Sequence, residues 1–171
     1  MTVRSAGLLA FRLEARGDDE VLRVFLVHPG GPVFAARDVG VWSIPKGEVE
    51  DAGDDLRAVA RREFEEETGQ APPDGQWIEL GEVRQSSAKQ VVAWAVEGDV
   101  DAERLESNTF EMEWPPRSGR VQRFPEIDRG AWFDLVEARA RVLRGQVPLL
   151  DRLVDVVSSG RGRPVGEGRA P

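Results

Sequence analysis

Residues 54–69, DDLRAVARREFEEETG, set acidic side chains where an amphipathic helix normally keeps its core. The stretch reads as one helix, with Asp54 or Asp55 as N-cap and Gly69 as the stop. At about 100° per residue, Leu56, Val59, Ala60 and Phe64 gather on one side. Glu63 and Glu67 fall inside that apolar arc, and Glu66 lies on its edge. Carboxylates facing a core are costly unless positive charge meets them. These three stand at i, i+3 and i+4, so they converge, and like charges that close destabilise the helix unless cations or protons intervene. Any fold open to this chain must bring that compensation to this helix.

Composition limits where the compensation comes from. The chain has 171 residues, enough for one domain with a buried core, and its 40% hydrophobic and 32% charged content is ordinary for a globular protein. There are no cysteines and one histidine, His28, which excludes disulfides, thiolate zinc sites and sites built from several imidazoles. Oxygen ligands remain, and they suit magnesium, manganese or calcium. The net charge of −8 disfavours a nucleic-acid binder that reads phosphates by counterion release. A small polyphosphate is still accessible if divalent cations stand between the two sets of negative charge. No apolar run reaches the length of a membrane span and no signal-peptide core is present, so the cytoplasm is the expected location. Of the 23 basic residues only Lys46 and Lys89 are lysine.

In chain order, residues 3–14 and 20–27 read as strands, closed by His28-Pro29-Gly30-Gly31-Pro32. Residues 41–44 form a short extended piece, Pro45-Lys46-Gly47 breaks the chain, and an acidic loop leads to the helix. Pro72-Pro73-Asp74-Gly75 signals a turn, and 77–84 and 90–96 alternate as two strands. Residues 97–119 pattern poorly and are expected to form a long excursion; 120–124 and 131–135 are extended, and 136–144 and 149–157 are helical. Strands and helices intermingle in one expected domain spanning 1–157, followed by a flexible Gly/Arg/Pro-rich tail at 158–171, which puts the fold in the α/β or α+β class.

The loop and the helix together, Gly47 through Asp54 and then Arg62-Glu63-Phe64-Glu65-Glu66-Glu67-Thr68-Gly69, resemble the Nudix hydrolase box, G-x5-E-x7-R-E-U-x-E-E-x-G-U. The second half is in register; Gln70 replaces the final apolar residue, Asp54 replaces the first Glu, and one extra residue separates Asp54 from Gly47. Trp42-Ser43-Ile44-Pro45-Lys46-Gly47 resembles the usual entry to the box, and the flanking strands follow the order of a Nudix domain. The resemblance implies an α/β/α sandwich around a mixed β-sheet, and a magnesium- or manganese-dependent pyrophosphohydrolase of MutT type.

Carried over residue by residue, the resemblance makes Glu66 and Glu67 metal ligands and Glu63 a ligand or the general base. It adds the backbone carbonyl of Lys46 or Gly47, and Arg62 as the support of Glu66. A further acid is expected from a downstream loop; Glu126 is the candidate, at about the interval before Trp132 seen in the diadenosine-polyphosphate branch, with Glu111 and Glu113 as rivals. Lys46 is the candidate phosphate contact because it borders the loop; Trp114 and Phe124 are candidates for stacking on a nucleobase, and Arg123 for meeting phosphate. Asp54 is read equally as an N-cap, and His28 as a turn or packing residue more than a substrate contact.

Pairing Pro45-Lys46-Gly47 with the later Lys89-Gln90-Val91-Val92-Ala93-Trp94 most resembles the diadenosine-polyphosphate branch. The expected partner is a nucleotide: a dinucleoside polyphosphate or nucleoside triphosphate, with ADP-ribose less favoured. No membrane or stable nucleic-acid partner is expected, and the oligomeric state is open. The competing reading is a non-catalytic nucleotide sensor on the same fold, supported by the irregular first half of the box; RNA decapping would need a basic groove.

Overall fold

The computed structural model describes residues 1–161. A six-stranded sheet is built from β1 (Val3–Arg16), β2 (Asp19–Pro29), β3 (Lys46–Glu48), β4 (Ile78–Arg84), β5 (Lys89–Glu97) and β8 (Ile127–Asp134). Its order is β4-β5-β1-β2-β8, with β3 beside β1; β1 and β5 run parallel and the other pairs are antiparallel. A separate hairpin joins β6 (Thr109–Glu113) to β7 (Val121–Pro125). The helices are α1 (Leu56–Thr68), α2 (Leu135–Arg141) and α3 (Val147–Arg161).

Successive strand residues point to opposite faces, so β1, the central strand, sends alternate side chains into two cores. Leu8 and Ala10 pack with Phe25, Val27 and Phe64 of α1, and Ala6 packs with Val59 and Ala60. Leu9 and Phe11 face the other way, toward Leu22, Val24, Leu26, Leu135, Leu149 and Leu153. Burial on both faces is why residues 5–11 read as a continuous apolar run rather than an alternating one. The result is the expected α/β/α sandwich around a mixed sheet. No helix among the described residues is long and apolar enough to cross a membrane.

The central strand also changes partner along its length. Ser5, Ala6 and Gly7 pair with β3 opposite Glu48, Gly47 and Lys46, whereas Phe11 to Arg16 pair with β2. Strand β3 replaces the break expected at Pro45-Lys46-Gly47. The piece expected to be extended, 41–44, contributes only isolated bridges, Val27 to Ser43 and Trp42 to Val142. Within the expected excursion, β6 pairs with β7 from Thr109–Pro125 to Glu113–Val121. Helix α3 continues past the expected end at Val157 to Arg161, and residues 162–171 of the expected tail lie outside the described residues.

Candidate active site

Asp55 caps α1, accepting from the N–H groups of Arg57 and Ala58, and Gly69 ends it at φ 71°, a left-handed conformation suited to glycine. Asp54 is not the cap: its Oδ2 accepts from Asp51 N–H at 3.1 Å and closes a turn in the extended loop. Gln70 stands where the box carries an apolar residue, and its amide clasps the backbone of Asp101, donating to the carbonyl at 2.8 Å and accepting from the N–H at 3.0 Å.

Strand β3 lies against the acidic side of α1. The N–H of Lys46 donates to Glu67 Oε2 at 3.2 Å. A Cβ on Gly47 would stand 1.9 Å from the Glu63 carboxylate, so the bare glycine is what lets that carboxylate reach the strand. Arg62 donates to Glu63 Oε1 at 3.1 Å and stands 3.9 Å from Glu66 Oε1; its closer bond is to Glu63, although Glu66 was the partner expected one turn on. Glu126 arrives from the far side. Its N–H donates to Asn108, whose own N–H bonds the Glu66 carbonyl at the end of α1, and its carbonyl accepts from Gly30.

The electrostatics agree with this crowding. Burial pushes the Glu67 carboxyl up to about 8, with Glu63 and Glu126 adding to the rise and Lys46 opposing it. Burial likewise raises Glu63, against the pull of Arg62 and with help from Glu66 and Glu126, and it raises Glu126, with Glu66 adding. Burial lowers Lys46 despite the attraction of Glu67. Three acids thus hold their protons more tightly than usual in one crowded site, which fits the requirement for a hard divalent cation. Among the described residues no three such ligands already converge on one point.

A cavity of about 320 Å³ opens beside these acids. Glu67, Glu126, Lys46 and Lys89 line it with Gln85, Ser43 and the apolar walls Phe34, Val41, Ile127 and Leu143. Lys46 and Glu126, both candidates from the sequence, are among its lining residues. Trp114, Phe124 and Arg123 do not line the cavity. Phe124 packs on Phe110 with ring centroids 6.0 Å apart, Arg123 pairs with Glu111 at 3.1 Å, and Trp114 sits at the far end of β6, its carbonyl accepting from Gln122. The same hairpin carries the rival acids Glu111 and Glu113; Glu113 accepts from Gly119 N–H. The hairpin is a separate two-stranded sheet whose direction no local pattern in the sequence reveals. His28 is fully buried between Asp128, 2.8 Å from Nδ1, and the Arg37 carbonyl, 2.5 Å from Nε2, away from the cavity lining. Phe34 and Gln85, which also line the cavity, carry no signal in the sequence, whereas Lys89 is one of only two lysines and ranks behind Lys46 as a phosphate contact.

Comparison with solved structures returns the same architecture at low identity. An Ap4A hydrolase of C. elegans, as a binary complex, is 21% identical over 92% of this chain and 99% of its own, with TM-score 0.58. The NUDIX domain of Shewanella oneidensis NrtR, complexed with ADP ribose, is 15% identical over 92% and 89%, with TM-score 0.59. A mutT/nudix family protein from Listeria innocua is 16% identical over 92% and 95%, with TM-score 0.55. No curated protein matches the chain. The family model described as NUDIX domain matches residues 13–153, which takes in β3, α1, Glu126 and every strand of the sheet except most of β1, and the chain belongs to the NUDIX family of hydrolases.

Proposed function

We propose that this hydrolase depends on magnesium or manganese and cleaves a phosphoanhydride in a nucleoside diphosphate linked to another moiety, either a dinucleoside polyphosphate or a nucleoside triphosphate. The observation that carries this reading is the cavity itself. The only two lysines of an acidic chain line it together with Glu67 and Glu126, so the site offers places for both phosphate and cation. A cavity of about 320 Å³ sits at the lower end of the roughly 300–1,000 Å³ usual for small-molecule sites. It accommodates one nucleotide-sized end of a substrate, with the remainder of a dinucleoside outside.

In this reading Glu66, Glu67 and Glu126 hold the cation, with the backbone carbonyl of Lys46 or Gly47. Such an ion would neutralise phosphate charge and lower the pKa of water, so that hydroxide is available as the nucleophile. Glu63, its carboxyl raised by burial, is a fourth ligand or takes the proton from the attacking water, and Arg62 holds it in place. The Lys46 and Lys89 ammonium groups steady the phosphates, which is mainly a matter of positioning and charge.

The test is a product-resolved screen of nucleoside triphosphates, dinucleoside polyphosphates, ADP-ribose and NADH, with magnesium and with EDTA. Glu66→Gln is expected to cut turnover by at least about a hundredfold in a protein that stays folded. Undiminished turnover in EDTA or in Glu66→Gln refutes the metal mechanism. Tight nucleotide binding without turnover of any compound replaces the catalytic reading with a sensor.

A further inference from the structure

A buried amide relay ties the cavity to the turn between α2 and α3, and it decides which atom the cavity presents at Gln85. Gln146 is fully buried, and its Oε1 accepts from the N–H of Ile44 at 3.1 Å. A backbone N–H can only donate, so this bond fixes which end of the Gln146 amide is oxygen. Its Nε2 must then donate, and it does so twice, to Ser43 Oγ and to Gln85 Oε1, both at 2.9 Å. Ser43 completes the pattern by donating to the Ile44 carbonyl at 2.7 Å. Because Gln85 spends its oxygen on Gln146, the free end of its amide is the NH₂. That group has no partner among the described residues, and no buried side-chain nitrogen or oxygen there lacks one. The NH₂ is therefore solvent-accessible, on a residue that lines the cavity.

We propose that Gln85 is a specificity-determining residue of this cavity, an obligate hydrogen-bond donor that selects a ligand with an acceptor atom at that position. This rests on the cavity being the nucleotide site proposed above. The matching acceptor is either a phosphate oxygen or a carbonyl of the base, and both meet the same NH₂. An amine at that position would leave two donors facing one another.

Binding resolves the question without relying on turnover. Wild type, Gln85→Met and Gln85→Glu are titrated calorimetrically with magnesium and four probes: inorganic triphosphate, and α,β-methylene triphosphates of inosine, adenosine and uridine. Gln85→Met keeps the shape and loses the donor. Weakening of every probe by about tenfold or more assigns the contact to phosphate. Weakening of the inosine or uridine probe alone, by about fivefold, assigns it to a base carbonyl. In the second case Gln85→Glu, which still accepts from Gln146 but now presents an acceptor to the cavity, reverses the inosine-to-adenosine affinity ratio. Both of those ligands carry the same phosphate charge, so the added carboxylate cancels in the ratio. Unchanged affinities for all probes in a Gln85→Met protein of unchanged Tm overturn the proposal. Failure of the hydrolase reading shows up separately, as nucleotide binding without turnover of any compound in the product-resolved screen.

Discussion

Replacing Glu67 by glutamine is expected to make the metal-free protein more stable while removing its activity. The reason is the direction of the Glu67 shift. Its carboxyl rises from 4.5 to about 8 on folding, chiefly through burial. Between those values the folded state holds a proton that the unfolded state has released, so the stability present below pH 4.5 is lost as pH rises through about 8. At pH 7 the interval above 4.5 is 2.5 pH units, and at about 1.4 kcal/mol per unit this amounts to about 3 kcal/mol of lost stability. A glutamine resembles the protonated acid, keeps an oxygen for the Lys46 N–H and carries no charge in either state. Glu67→Gln should therefore gain up to about 3 kcal/mol at pH 7 and little at pH 5. Urea denaturation of both proteins in EDTA from pH 5 to 8.5 measures this. Magnesium should restore wild-type stability mostly at the alkaline end and leave the variant unaffected. A variant less stable than wild type at pH 8 in EDTA, or a gap independent of pH, refutes the argument.

Other substitutions separate position from fold. Gly47→Ala puts a methyl group where the Glu63 carboxylate stands; because that carboxylate ends a flexible side chain it can swing away, so Tm should move by only a few degrees while hydrolysis falls at least about tenfold. Phe64→Ala empties a fully buried site between α1 and the sheet and should cost about 3–5 kcal/mol in urea denaturation. Gly69→Ala forces a side chain into a left-handed backbone at φ 71° with the Glu106 carbonyl 2.7 Å away, and should cost about 1–2 kcal/mol by the same measurement.

Much of this molecule is legible in its sequence because the deciding interactions are local. Helix α1 starts after an Asp and stops at a Gly, as its residues predict, and the acids on its apolar arc do lie against a strand, with Glu67 on the Lys46 N–H. Strands β4 and β5 are readable from alternation, and β1 from an apolar run that only burial on both faces explains. Strand β3 was unreadable, because Lys46-Gly47-Glu48 has no pattern of its own and is extended only through pairing with Ser5, Ala6 and Gly7.

The placing of the Trp114, Phe124 and Arg123 hairpin outside the cavity is likewise a matter of tertiary structure. So is the assembly of the cavity itself. Lys46 comes from β3 and Lys89 from β5, on opposite sides of β1, and Gln85 is oriented by Gln146 from 61 residues away. A sequence specifies by its spacing what neighbours along a helix or strand can do together. Which donor faces which acceptor across the sheet depends on register and on backbone groups such as the Ile44 N–H, whose direction exists only once the chain has folded.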